Sequence, residues 1–140
     1  MNNIIKGYQY EIFINDYLNS NNNIKISYLW KDIPEDILFT YGFINSIHDT
    51  RLNRKTNNIN KLEDIGTDII YINQNDECII VQCKNYESKN ICVKDLSGFS
   101  FLFLISKVPI KGIIISHTEC SQLVQSIFLN NDKIKYQKLE

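Results

Sequence analysis

No alanine occurs anywhere in the 140 residues, and proline, with two, and glycine, with five, are scarce. That scarcity excludes a collagen-like chain and a Pro/Gly-rich linker dividing the polypeptide. Cysteine is confined to positions 78, 83, 92 and 120, with no CxxC pair and no histidine beside them. A zinc ribbon and a disulfide-stapled miniprotein are thereby excluded, and reduced, buried thiols are expected. No apolar run nears the ~20 residues of a membrane-spanning helix. The opening MNNIIKGYQYE lacks the basic stretch, apolar core and cleavage site of a signal peptide, so an intracellular protein without membrane contact is expected. A surplus of one charge is missing too: fifteen Lys+Arg stand against sixteen Asp+Glu, a net charge of −1. Any nucleic-acid contact must therefore come from a local patch rather than from a global basic field.

What is present is ordinary for a globular chain: 44% hydrophobic and 22% charged residues, at a length suited to a single domain over residues 1–140. The excess of Asn and Ile, and of Lys over Arg, looks like codon bias from an AT-rich genome and is discounted as a structural signal. Residues 4–18 carry apolar positions near a 3.6-residue period and predict a helix, ended by NSNNN at 19–23. Ile24, Ile26, Tyr28 and Trp30 alternate along 24–30, a half-buried strand. Asp32 and Glu35 have capping-box spacing around Pro34, so a short helix runs to Gly42. Residues 43–63, rich in Asn and carrying Arg51, Arg54, Lys55 and Lys61, predict a long exposed loop.

Two β-rich runs follow, DIIYI at 68–72 and CIIVQCK at 78–84, split by NQNDE as in a hairpin, with a shorter run ICV at 91–93. A helix from Asp95 to Ser106 is expected to pack through Leu96, Phe99, Phe103 and Leu104. GIIIS at 112–116 is a continuous apolar run suited to a strand covered on both faces. Thr118 is placed to cap a last helix over 119–129 with Leu123, Val124, Ile127 and Phe128 inward, and IKYQKL alternates as an edge strand. The order predicts an α/β sandwich, a central mixed β-sheet with helices on both sides.

The hairpin carries the chemistry. With a turn centred on Asp76, position 72 opposes 80, 70 opposes 82 and 68 opposes 84. Period-two alternation then sets Asp68, Gln82 and Lys84 on one face, while Val81 and Cys83 point to the other side. A carboxylate with amide or carbonyl oxygens suits a hard cation such as Mg²⁺. A lysine beside it can place a water and offset charge on a phosphate, the ingredients of metal-assisted phosphodiester hydrolysis.

The pattern D-x13-Q-x-K, with GTD at 66–68 and QCK at 82–84, resembles the PD-(D/E)xK nuclease superfamily, and within it the Mrr-like restriction-endonuclease branch in its QxK form. The resemblance implies a restriction-endonuclease-like three-layer sandwich with an α-β-β-β-α-β core, and a Mg²⁺-dependent DNA endonuclease, with Mn²⁺ as an alternative ion. It implies Asp68 as the main metal ligand, Gln82 as a ligand through its side-chain oxygen, the Cys83 carbonyl as a further one, and Lys84 as the group that orients or activates the attacking water. Glu11, in the first helix on a stripe with Gly7, Tyr8, Ile14 and Leu18, matches the helical acid of the family and would complete the metal shell. Gln82 departs from the commoner acid, which leaves Asp68 and Glu11 as the charged ligands. LWKDIPEDIL, DIGTD, QCKNY and DLSGF also look like nuclease-like domains attached to helicases of large DNA viruses.

Rival readings stand beside each residue. Asp68 is either a site carboxylate or an aspartate satisfying local backbone donors at the start of a strand. Glu11 is either a ligand or a half-exposed helix acid paired with a lysine. Arg51, Arg54, Lys55 and Lys61 are a solvated run or phosphate contacts, and Tyr86 touches nucleic acid or ends a strand. Ser116 and His117, after GIIIS, are candidates to line the cleft. For the whole chain the alternatives to the nuclease are a catalytically weak nucleic-acid-binding or adaptor module of a larger helicase-type protein, and a Holliday-junction resolvase acting as a homodimer.

Overall fold

The computed structural model describes residues 3–43, 67–84, 91–129 and 131–138. The first helix, α1 (Asn3–Asn19), buries Tyr10, Ile14 and Leu18, spaced four apart as a helix requires to aim them at one surface. A tight turn, in which the Ile24 N–H donates to the Asn21 carbonyl, reverses the chain into β1 (Ile24–Leu29). Helix and strand are then stitched at Ser27. Asn19 accepts the Ser27 N–H through Oδ1 at 2.8 Å and donates through Nδ2 to the Ser27 carbonyl at 3.1 Å. The Ser27 hydroxyl donates to Asn15 Oδ1 at 2.6 Å. The N-terminal half of α1 thus arrives at the end of the sheet where β1 finishes.

After a 3₁₀ turn (Trp30–Asp32) and the short helix α2 (Glu35–Thr40), the described chain resumes in the hairpin β2 (Ile69–Asn73) and β3 (Cys78–Lys84). A second 3₁₀ turn (Val93–Leu96) leads into α3 (Ser97–Ile105), then β4 (Lys111–Ser116), α4 (Gln122–Leu129) and β5 (Ile134–Lys138). The five strands lie in the order β1-β2-β3-β4-β5. The first three pair antiparallel, and β3-β4 and β4-β5 pair parallel, each parallel step being bridged by a helix as such crossovers demand. The expected mixed sheet flanked by helices is present, and α1-β1-β2-β3-α3-β4 has the α-β-β-β-α-β order that the resemblance implied, with the short α2 inserted between β1 and β2.

The two faces hold separate cores. On one, α1 covers Ile69, Ile79, Val81, Cys83 and Ile115; on the other, Phe99, Leu102 and Val124 from α3 and α4 pack with Ile70, Ile72, Cys78, Ile80 and Ile114. Both faces of β3 are therefore dry, which explains its unbroken apolar sequence.

Several expected details differ. A bulge between Ile24 and Ile26 moves Ile24 to the α1 side, away from Tyr28 and Trp30. No Asp32 cap forms: Pro34 is the N-cap of α2, its carbonyl accepting from Ile37 and Leu38 N–H. ICV at 91–93 yields only an isolated bridge from Ile91 to Cys120. Thr118 is held by Ser116, and the last helix starts later, its Val124 N–H donating to the Ser121 hydroxyl. In that helix Val124 is buried but Leu123 and Ile127 face outward, as does Leu104 of α3. The hairpin register is shifted by two: Ile72 pairs with Cys78 and Ile70 with Ile80. Asn73 causes the shift, closing the turn through Oδ1 onto the N–H groups of Asn75 and Glu77 while Asp76 takes a left-handed φ of 61°.

Candidate functional site

The shifted register ends at the Ile69–Val81 pair and leaves the Asp68 side chain beside that of Gln82, instead of Lys84. The Asp68 N–H donates to the Val81 carbonyl at 2.9 Å, so the residue is tied to the same β3 position that pairs with Ile69. The buried Thr67 hydroxyl donates toward the Ile69 and Val81 carbonyls and fixes the chain just before it. From the other side, the Trp30 N–H donates to the Asp68 carbonyl at 2.9 Å. The Asp68 backbone is thus held by β3 and by the 3₁₀ turn that follows β1.

Its side chain is held as firmly. Asp68 Oδ2 accepts the Gln82 Nε2–H at 2.9 Å and the Cys83 backbone N–H at 2.8 Å. With its amide nitrogen committed, Gln82 turns Oε1 into a buried position with no hydrogen-bond partner among the described residues, and the residue as a whole is only 6% exposed. Such an orphaned acceptor costs about 1–3 kcal/mol unless a ligand, water or ion satisfies it.

Lys84, half-buried, follows two residues later on the same face of β3 and lies in register with Ser116 of β4. The Cys83 thiol between them is pushed well above its ordinary range, first by burial, then by the carboxylates of Asp68 and Glu11, with Lys84 acting in the opposite sense. The charges of Asp68, Glu11 and Lys84 all reach the end of β3, Asp68 and Lys84 from the hairpin and Glu11 from α1, which covers the opposite face of the strand. Among the described residues no three His, Cys, Asp or Glu side chains gather closely enough to hold a metal ion. An ion here would need the Gln82 amide oxygen beside the carboxylates, and the desolvated, unsatisfied Oε1 fits that role.

The structure adds two neighbours to this end. His117, just past Ser116, lays its ring 4.4 Å from that of Tyr10, the residue before Glu11. Burial, then the Cys83 charge, raises the Tyr10 hydroxyl above its ordinary range, and that hydroxyl has no hydrogen-bond partner among the described residues. The sequence offered only the position of His117 after an apolar strand; the Tyr10 contact depends on the packing of α1. Arg51, Arg54, Lys55, Lys61 and Tyr86 lie outside the described residues.

No family model matches the sequence, and no curated protein matches it. Among solved structures, a repair endonuclease from Pyrococcus abyssi is similar in part. The TM-score is 0.42 at 12% identity, over 53% of this chain and 32% of that one. The chain thus spans about a third of the length of that neighbour. No helix among the described residues is long and apolar enough to cross a membrane.

Proposed function

We propose that the chain is a Mg²⁺-dependent DNA endonuclease that hydrolyses phosphodiester bonds, with Mn²⁺ able to replace Mg²⁺. The observation that carries this reading is the buried, unsatisfied Gln82 Oε1 beside a carboxylate whose position two N–H donors fix. The D-x13-Q-x-K resemblance to the PD-(D/E)xK superfamily, in its Mrr-like form, supports it independently.

In this reading Asp68, Gln82 Oε1, the Cys83 carbonyl and Glu11 hold the ion, the last directly or through water. A divalent ion bound there would supply Lewis acidity to a phosphoryl oxygen and stabilise charge on the leaving oxygen. The chain's own groups do the rest. Gln82 spends its N–H on Asp68 Oδ2, so Asp68 presents a fixed orientation without reorganising at the moment of reaction. Lys84 orients the attacking water and carries a positive charge toward the phosphate. Because Gln82 is neutral, the site repels a phosphodiester less than a site with a third carboxylate would, at the cost of weaker ion binding.

The test is incubation with plasmid and branched DNA in Mg²⁺, Mn²⁺ or EDTA. Asp68→Ala and Lys84→Ala are each expected to lower cleavage by about 100-fold or more, with an unchanged far-UV spectrum. Retained Mg²⁺-dependent cleavage in both variants refutes the assignment. Salt-dependent DNA binding by the unaltered chain with no cleavage in either ion selects the adaptor reading, and preferential cutting of branched DNA by a dimer selects the resolvase.

A further inference from the structure

One cation outside the Asp68 cluster is held in a defined place at the same end of the sheet. Lys31, exposed, follows Trp30, whose N–H is bonded to the Asp68 carbonyl. Its Nζ sits 4.8 Å from the centroid of the Tyr8 ring and donates to the Tyr8 hydroxyl. Tyr8 is 40% exposed and stands three residues before Glu11, one helical turn away on α1. Two separate elements thus bring an ammonium and an aromatic ring together, Lys31 next to the residue whose N–H is bonded to the Asp68 carbonyl and Tyr8 one helical turn from Glu11.

We propose that Lys31, steadied by Tyr8, is a contact for the phosphate backbone of a nucleic-acid strand entering the Asp68 site. The inference rests on the nuclease reading and extends it to how substrate is held. A polyanion approaching Asp68 and Glu11 meets repulsion, which a cation at the rim offsets. A lysine contact of this kind positions the strand without reading its sequence. Because the ring and hydroxyl of Tyr8 already orient the ammonium, less side-chain freedom is lost on binding. Lys25 offers an internal control: it lies at the opposite end of the sheet, its Nζ 2.5 Å from Asp76 Oδ1.

The test measures binding of a fluorescein-labelled DNA duplex in EDTA, where hydrolysis is off, across a salt series. Lys31→Ala is expected to lower the slope of log K against log[salt] by about 0.9, which at 0.1 M salt is about eightfold in affinity. Lys31→Arg should restore the slope, Tyr8→Phe should weaken binding less than Lys31→Ala, and Lys25→Ala should change nothing. An unchanged slope and affinity in Lys31→Ala, an equal loss in Lys25→Ala, or no DNA binding by the unaltered chain overturns the proposal. Cleavage in Mg²⁺ by the unaltered chain, scored separately, decides the nuclease reading, so the two can fail apart.

Discussion

Asp68 is positioned by donors rather than by other acids, and that shapes what substitutions at its neighbour will do. Gln82→Glu would replace the amide N–H facing Asp68 Oδ2 with a second carboxylate at a position that is only 6% exposed. Two adjacent carboxylates at that depth disfavour each other's charge unless a bound ion lies between them. The variant should be about 1–3 kcal/mol less stable than the parent in EDTA by urea unfolding. Mg²⁺ should return about 2.7 kcal/mol at a hundredfold excess over its Kd. A variant as stable as the parent in EDTA and indifferent to Mg²⁺ would count against an ion at this position. Away from the site, Asn19→Ala removes both hydrogen bonds that tie α1 to the Ser27 backbone. It should cost about 1–3 kcal/mol, read by the same unfolding measurement.

At this scale the shared face of Asp68, Gln82 and Lys84 could be read from spacing, because alternation along a strand depends only on parity, whereas Glu11 came from the family resemblance. A register error of two leaves Asp68, Gln82 and Lys84 on one face, so the face was readable while the pairing was not. The pairing was decided by Asn73, whose side chain closes the turn earlier than a turn centred on Asp76 would.

Elements show the limit of pattern reading more clearly. The apolar residues of α4 fit several helix rotations, and packing chose the one that buries Val124 and leaves Leu123 62% exposed. Cap positions were misread for a similar reason: Thr118 and Ser121 are both competent N-caps, and Ser116 claims the first. The fit between α3 and β4 is tighter than any sequence pattern suggests. A Cβ on Gly112 would lie 2.5 Å from Phe99 Cζ and 2.8 Å from Phe103 Cζ. Gly112→Ala should therefore destabilise the fold by about 1–3 kcal/mol through overpacking, measurable as a lowered unfolding midpoint. Phe103→Leu in the same chain should recover part of the loss, since it removes one of the two atoms that clash.

For the molecule as a whole, the two dry faces of the sheet determine its response to alkali. Burial pushes the Cys78 thiol up to about 12, Cys120 to about 11 and the Tyr136 hydroxyl to about 12. In the unfolded chain the thiols ionise near 9 and the phenol near 10, so the folded state keeps protons that the unfolded state gives up. Stability from these groups is complete below pH of about 9 and drains away as pH climbs through their folded values. Urea midpoints should be level from about pH 7 to 8.5 and fall steeply between about pH 9 and 11, and Cys78→Ala should flatten that fall. A midpoint that is unchanged up to about pH 11 would contradict the burial of these thiols.

Trp30 is the one tryptophan of the chain, it is 5% exposed, and its amide is bonded to the carbonyl of Asp68. A single fluorophore is thus attached, through one hydrogen bond, to the backbone that carries the Asp68 carboxylate. Excitation at the red edge of indole absorption therefore gives an optical signal, free of label, that should shift whenever anything tugs Asp68 out of line.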